Sequence, residues 1–335
     1  MENFTSGGTF FLMGFSDIRE IQILHAVLFL LIYLAAILGN LLIITLTTKD
    51  HRLHTPMYFF LKNLSFLDLC LISITVPKSI MNSLMNQNTI SFLGCVSQVF
   101  FFFLLASTEV ALLTVMSYDR YVAICHPLRY DIIIGHEACI QMVTSSWISG
   151  CLNAILHTAS TFSIPICRPP EVNQFFCDVP QLLSLACSYN IGELVVIGLS
   201  LLLDFGCFVF IDISYYYVFS TVLRMPSVEG RHKAISTCLP HLIVVILFLS
   251  SGFFAYLHPL SKYPSLFDLL VSVFYTVVPP TINPLIYSLR NKDMKMALRK
   301  LMNKEEAVLL RIFIMHEKRS NINKNLNESD FKLHG

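Results

Sequence analysis

The chain has 335 residues, of which 55% are hydrophobic and only 13% charged, with a mean hydropathy of +0.65. Soluble domains carry about 25% charged residues, so the composition excludes a single soluble globular domain. The formal net charge of +1 carries no message about nucleic acid.

The apolar residues form long runs split by short polar stretches, which is the pattern of membrane spans. Met1 to Ser16 lacks the basic start and apolar run of a cleavable signal peptide, so the first span is expected to act as its own insertion signal. Seven spans are predicted, at about His25–Thr48, Met57–Met81, Phe92–Ile124, Ile140–Ile164, Gly192–Leu223, His232–His258 and Leu266–Leu289. Residues 291–302 predict a short amphipathic helix, with Met294, Leu298 and Leu301 on one side and Lys295, Arg299 and Lys300 elsewhere. The expected fold class is an all-α membrane protein, a seven-helix bundle with a short eighth helix. It divides into an N-terminal segment 1–24, a transmembrane domain 25–290, the amphipathic helix 291–302 and a polar tail 303–335. With the N-terminus outside, external segments hold Arg19, Lys78, Arg168 and Lys262, four of the 23 Lys and Arg. That bias places the N-terminus outside and the tail in the cytoplasm. Asn3-Phe4-Thr5 is then an exposed glycosylation sequon.

The third span is the most informative. The 25 steps from Cys95 to Arg120 cover about 37 Å at a helical rise of about 1.5 Å, slightly more than a hydrocarbon core of about 30 Å. One helix therefore sets a cysteine at one membrane face and the Asp119-Arg120 pair at the other. Charges at such a boundary are costly unless paired, buried in protein or used; the bland alternative is an arginine snorkelling to water. Deeper in the membrane, Asp68 lies about 18 Å past Pro56, and Glu109 lies about 16 Å before Arg120. Asn40 and Asn283 fall at similar depth. Such a layer reads as a hydrogen-bonded or cation-binding cluster, against the plainer reading of polar packing between helices.

Of the ten cysteines, Cys95, Cys167, Cys177 and Cys187 fall outside, where disulfides persist, and allow three connectivities. No cysteine spacing reads as a zinc site. The external loop between the fourth and fifth spans is long, holds Pro165, Pro169, Pro170 and Pro180, and reads as functional. In the fifth span, Asp204 reads first as a protonated, hydrogen-bonded acid and second as a ligand contact.

Met116-Ser-Tyr-Asp-Arg-Tyr-Val-Ala-Ile-Cys125 resembles the third-helix signature of rhodopsin-like G-protein-coupled receptors, in the form seen in olfactory receptors. Three further strings agree in order and spacing: Pro56-Met-Tyr-Phe-Phe-Leu61, Lys233-Ala-Ile-Ser-Thr-Cys-Leu-Pro-His241-Leu and Asn283-Pro-Leu-Ile-Tyr287. The resemblance covers about residues 25–302. It implies disulfides Cys95–Cys177 and Cys167–Cys187, and it reads the layer of Asn40, Asp68, Glu109 and Asn283 as a conformational cluster, since Asp68, Glu109 and Asn283 match positions lining a sodium pocket, with sodium held at Asp68 and Glu109. It implies G-protein coupling through Asp119, Arg120, Tyr121, Tyr215 and Tyr287. It also implies a ligand pocket faced by Phe102, Phe103, Ala106, Ser107, Leu199, Leu203, Gly252, Phe253, Tyr256, Val273 and Thr276.

The partners so implied are a small odorant, a stimulatory heterotrimeric G protein and the lipid bilayer, with no cofactor and no nucleic acid. The location implied is the plasma membrane of olfactory sensory neurons. Two departures stand out: Phe248-Leu249-Ser250 replaces the usual Phe-Tyr-Gly, and Pro279-Pro280 adds to the bend at Pro284. A transporter or channel using Asp68 and Glu109 is the alternative; it predicts broken helices or an internal repeat, neither visible in the sequence. An enzyme is not expected, because no His/Asp/Glu constellation suited to catalysis falls at one depth.

Overall fold

The computed structural model describes residues 8–14, 16, 18–85, 87–187, 191–257, 266–290, 293–301 and 303; for 193, 253–257, 266, 268, 289 and 290 it describes the backbone alone. Asn3 and most of the tail lie outside the described residues. Among the described residues, seven helices are long and apolar enough to cross a membrane. In chain order they are Arg19–Lys49, Pro56–Met85, Phe92–Cys125, His136–Phe162, Ile191–Arg224, Val228–Leu257 and a seventh in two pieces, Leu266–Thr276 and Val278–Arg290. Several outrun the apolar runs predicted for them, because polar first and last turns such as Arg19-Glu20 and Val228-Glu229 are helical as well. The chain divides into two units after Asn291, and in the second, residues 293–301 are helical.

Each helix turns its apolar chains two ways. On the first, Leu24, Leu31 and Leu38 recur every seven residues and are 64%, 60% and 67% exposed, while Ala26, Phe29, Ala36 and Ile43 are buried. Lipid covers such outward stripes, so apolar exposure here is ordinary. The third helix is the hub, packing against the second, fourth, fifth and sixth. Its closest approach is to the fourth, where Gly150 lies against the third-helix backbone: a Cβ there would come within 2.7 Å of the Leu104 carbonyl oxygen and 3.0 Å of the Thr108 nitrogen. A small residue at such a crossing lets two backbones meet.

The break in the seventh helix follows from its prolines. Pro279 and Pro280 donate no backbone hydrogen bonds, and the chain turns at Val277 just before them. Pro284 likewise cannot donate to the carbonyl four residues earlier, which is Pro280. Asn40 of the first helix supplies the missing donor, Nδ2 to Pro280 O at 2.9 Å, and also bonds Ala36 O at 3.0 Å. A break in one span matches part of what the transporter alternative required, but it is explained locally by the proline doublet.

At the outer end, β1 (Thr9–Leu12) lies between β2 (Thr89–Ser91) and β3 (Glu171–Val172), antiparallel to the first and parallel to the second. Phe10 and Leu12 on β1 bury into a cluster with Cys95, Val99, Val172 and Cys177. Arg19 reaches across to cap the second helix, donating to Ser83 O and Leu84 O at 2.7 Å each. A cation at a helix C-terminus meets both the unpaired carbonyls and the negative end of the dipole.

Candidate ligand pocket, ion cluster and coupling site

A cavity of about 130 Å³ opens among the second to seventh helices. The third helix gives Phe102, Phe103, Ala106, Ser107 and Val110, which one helical face presents together. The sixth gives Phe248, Leu249, Ser251 and Gly252, and the seventh Tyr275. From the fifth come Ile197, Ser200, Leu201 and Asp204, at a spacing of three and four. Of the residues predicted to face a ligand, Phe102, Phe103, Ala106, Ser107 and Gly252 sit on this wall.

Leu199 and Leu203 do not: they are 53% and 66% exposed on the outer side of the fifth helix. The register is corrected to the face holding Ser200 and Asp204. Val273 is absent from the lining as well, and Thr276 is fully buried with its hydroxyl donating to Ser272 O at 2.6 Å; Tyr275 is the wall residue between them. The side chains of Phe253 and Tyr256 lie outside the described residues.

Sequence reasoning missed the fourth helix. Asn153 and His157, one turn apart, line the cavity and join a polar chain across three helices. Asn153 Nδ2 donates to Ser107 Oγ at 2.7 Å, and Ser200 Oγ donates to Asn153 Oδ1 at 2.8 Å. Because the single Ser200 proton is used, His157 Nε2 is the donor in its 2.8 Å contact with Ser200 Oγ. Phe103 stacks on the same imidazole with centroids 4.0 Å apart. A polar pair at helical spacing in an apolar span was the available signal.

The long external loop closes the cavity from above. Cys95–Cys177 ties it to the third helix with Cα atoms 5.5 Å apart, and Cys167–Cys187 cross-links the loop itself at 4.9 Å. Gln98 reinforces the first tie, accepting from Cys177 N at 2.8 Å and donating to Ile74 O at 2.9 Å. Next to the staple, fully buried Phe176 packs on Phe102 and Tyr275 with centroids 5.8 Å and 6.1 Å away. Asp178 is buried two residues further on. Burial pushes its carboxyl up to about 7, against hydrogen bonds from Tyr275 and the Val179 backbone that pull it down.

Below the cavity, Asn283 Nδ2 donates to both oxygens of Asp68 at 3.1 Å. Glu109 is fully buried, and neither of its oxygens has a hydrogen-bond partner among the described residues. Asn40 belongs to the seventh-helix break described above and takes no part in the Asp68–Asn283 contact. No group of three or more His, Cys, Asp or Glu suited to a metal occurs among the described residues.

At the inner end, the Arg120 guanidinium pairs with Asp119, its Nε at 2.9 Å from Oδ2. Tyr130 in the following loop donates to the other Asp119 oxygen at 2.7 Å. Burial first, and the Asp119 charge second, push the Tyr130 phenol well up, so it remains a donor. Tyr121 contacts His126 at 3.1 Å near the end of the same helix.

His241 links three helices. Its Nε2 faces the Leu113 carbonyl at 3.1 Å, and its Nδ1 faces the Tyr215 hydroxyl at 2.7 Å. A carbonyl only accepts, so the proton is on Nε2 and Tyr215 donates to Nδ1. Arg120, His241 and Tyr287 border one small inner cavity of about 20 Å³. The sixth helix is thus held to the third and fifth by the imidazole, beside the arginine.

A lidded cavity above a buried acid pair and an arginine at the inner mouth define a seven-helix membrane receptor. The fold matches squid rhodopsin at a TM-score of 0.69 and 18% identity, over 86% of this chain and 87% of that one. The olfactory receptor family profile matches residues 29–305. Human olfactory receptor 14A16 is 61% identical over 299 residues, 89% of this chain and 96% of that protein. Human olfactory receptor 14J1 is 58% identical over 307 residues, 91% and 96% of the respective chains. The chain belongs to the olfactory receptor family, whose members are signalling receptors and not enzymes.

Proposed function

We propose that the protein is an odorant receptor that takes a small, mostly apolar volatile ligand into the lidded cavity and activates a stimulatory heterotrimeric G protein, raising cAMP. Its place in this reading is the plasma membrane of olfactory sensory neurons. The observation that carries the reading is the shared third helix. One face of it walls the cavity through Phe102, Phe103, Ala106 and Ser107, and 13 residues after Ser107 it carries Arg120. A ligand that repacks the sixth helix at Phe248 and Gly252 acts on the same element that His241 holds to Leu113 and Tyr215. Releasing that link frees the sixth helix to move and uncovers Arg120 for a partner. Phe102, Phe103, Phe248 and Leu249 make the wall largely apolar, so burial supplies most of the affinity.

A sodium ion between Asp68 and Glu109 belongs to the same proposal. It is supported by the two buried Glu109 oxygens without a partner, a hard donor set of the kind such cations take. When bound, the ion would offset the charge of one carboxylate, leaving the other to hold a proton, and would favour the closed bundle. The test of the reading is a cAMP response in cells expressing the receptor, screened against volatile ligands. A response that needs the receptor supports it; silence at confirmed surface expression sinks it.

A further inference from the structure

We propose that Asp204 makes the cavity selective for small protonated amines, with the ammonium group held at its carboxylate. The proposal rests on the cavity being the odorant site and deepens that reading by naming a ligand class.

Most of the polar groups on the wall are already committed. Ser107, Asn153, Ser200 and His157 bond to one another in the chain described above, and Ser251 donates to Phe248 O at 2.8 Å. Asp204 lies one turn inward of Ser200 on the same helical face and lines the same cavity, yet makes no hydrogen bond to any described residue. No lysine or arginine occurs among the described lining residues. A carboxylate facing a largely apolar cavity must take a proton or a cation, and no protein cation is at hand. An ammonium supplies both the charge and up to three donors.

Size and surroundings point the same way. The cavity, at about 130 Å³, is close to the roughly 150 Å³ apolar cavity that accepts benzene, so it fits one ring or a short branched chain. The rest of the wall, with Phe102, Phe103, Phe248 and Leu249, is suited to the apolar body of such a ligand. A neutral isostere fills the same space but leaves the Asp204 carboxyl uncompensated. Discrimination therefore comes from the head group and not from shape.

The test uses two isosteric series: benzylamine, benzyl alcohol and ethylbenzene, then cyclohexylamine, cyclohexanol and methylcyclohexane. Each is measured at neutral pH by receptor-dependent cAMP and by thermal stabilisation of the purified full-length receptor. Wild type should respond to each amine at a concentration roughly tenfold or more below its alcohol, with the hydrocarbon last. Asp204→Asn should level amine and alcohol, while Asp204→Glu keeps the amine first. An alcohol equal to or better than its amine on wild type overturns the proposal, as does an Asp204→Asn receptor that still prefers amines.

If Asp204→Asn fails to reach the surface, the wild-type order and Asp204→Glu decide. Silence toward both amines also overturns the amine assignment. A parallel panel of neutral esters, ketones and aldehydes then separates the two readings: a response there leaves the odorant receptor standing, and silence there removes both.

Discussion

Gly150→Ala should weaken the bundle at its closest helix crossing. The added Cβ would meet the Thr108 hydroxyl and two backbone atoms, Leu104 O at 2.7 Å and Thr108 N at 3.0 Å. The hydroxyl can rotate, although it would give up its 2.6 Å bond to Leu104 O; the backbone atoms cannot. The third and fourth helices must therefore move apart by several tenths of an ångström along a shared face that also carries the Asn153–Ser107 bond. Overpacking of this kind costs about 1–3 kcal/mol, more than the roughly 0.5–1 kcal/mol that replacing a helical glycine by alanine returns. Gly198→Ala is the matched control, since nothing lies within 4 Å of its added Cβ, and it should be neutral or stabilising. Thermal unfolding of the detergent-solubilised receptor, followed by a thiol dye reaching buried Cys139 and Cys238, gives the comparison. A melting temperature several degrees below the control is expected. Equal melting of the two variants would refute the close-packing account.

Other perturbations follow from the same geometry. Cys95→Ser and Cys177→Ser should each impair export to a similar degree, with the double variant no worse, because each loses one bond worth about 2–5 kcal/mol; surface labelling checks this, and unlike singles would break the pairing. Asp178, held near 7 in the folded loop against 3.8 as its ordinary value, binds a proton that the unfolded chain releases. Its docking is therefore strongest below about pH 4, weakens as pH rises from there through about 7, and gains nothing from this proton above it. Receptor melting at pH 5.5 and pH 8 should differ less in Asp178→Asn than in wild type, and an unchanged difference counts against that origin. Asp68→Asn removes one of the two oxygens that accept from Asn283 and half of the acid pair, so agonist affinity should lose any sodium-specific shift, measured against potassium at fixed ionic strength. A wild type with no such shift would leave the acids as a packing pair.

What could be read in advance was depth, and what could not was rotation. Apolar runs and the Asp119-Arg120 pair locate each span along the membrane normal, because burial in lipid is a property of length and composition. The face each residue turns is set by neighbours. In the fifth helix nearly every residue is apolar, on the lipid side and the cavity side alike, so Leu199 and Leu203 could not be told from Ile197 and Leu201. Polar residues break that symmetry, and Ser200 with Asp204 would have fixed the correct face.

Asn40 shows a different gap. Its depth matched Asp68, but its partner was determined by a donor missing at Pro284, which leaves Pro280 O to be bonded from outside the helix. Asn153 and His157 fall in none of the four motif strings, and a polar side chain in an apolar span is more often packing between helices. The external cap, where β1 joins two distant segments, depends on pairings hundreds of atoms apart in the chain and left no periodic trace.

The central claim is that ligand binding in the outer cavity reaches a G protein through Arg120. It is tested most directly by nucleotide exchange on purified stimulatory G protein, with wild type and Arg120→Ala receptor in lipid nanodiscs and a ligand that thermally stabilises both. Ligand-dependent exchange by wild type, and none by an Arg120→Ala receptor that still binds, is the predicted result. Equal exchange by the two receptors, or none by a ligand-bound wild type, would contradict the account.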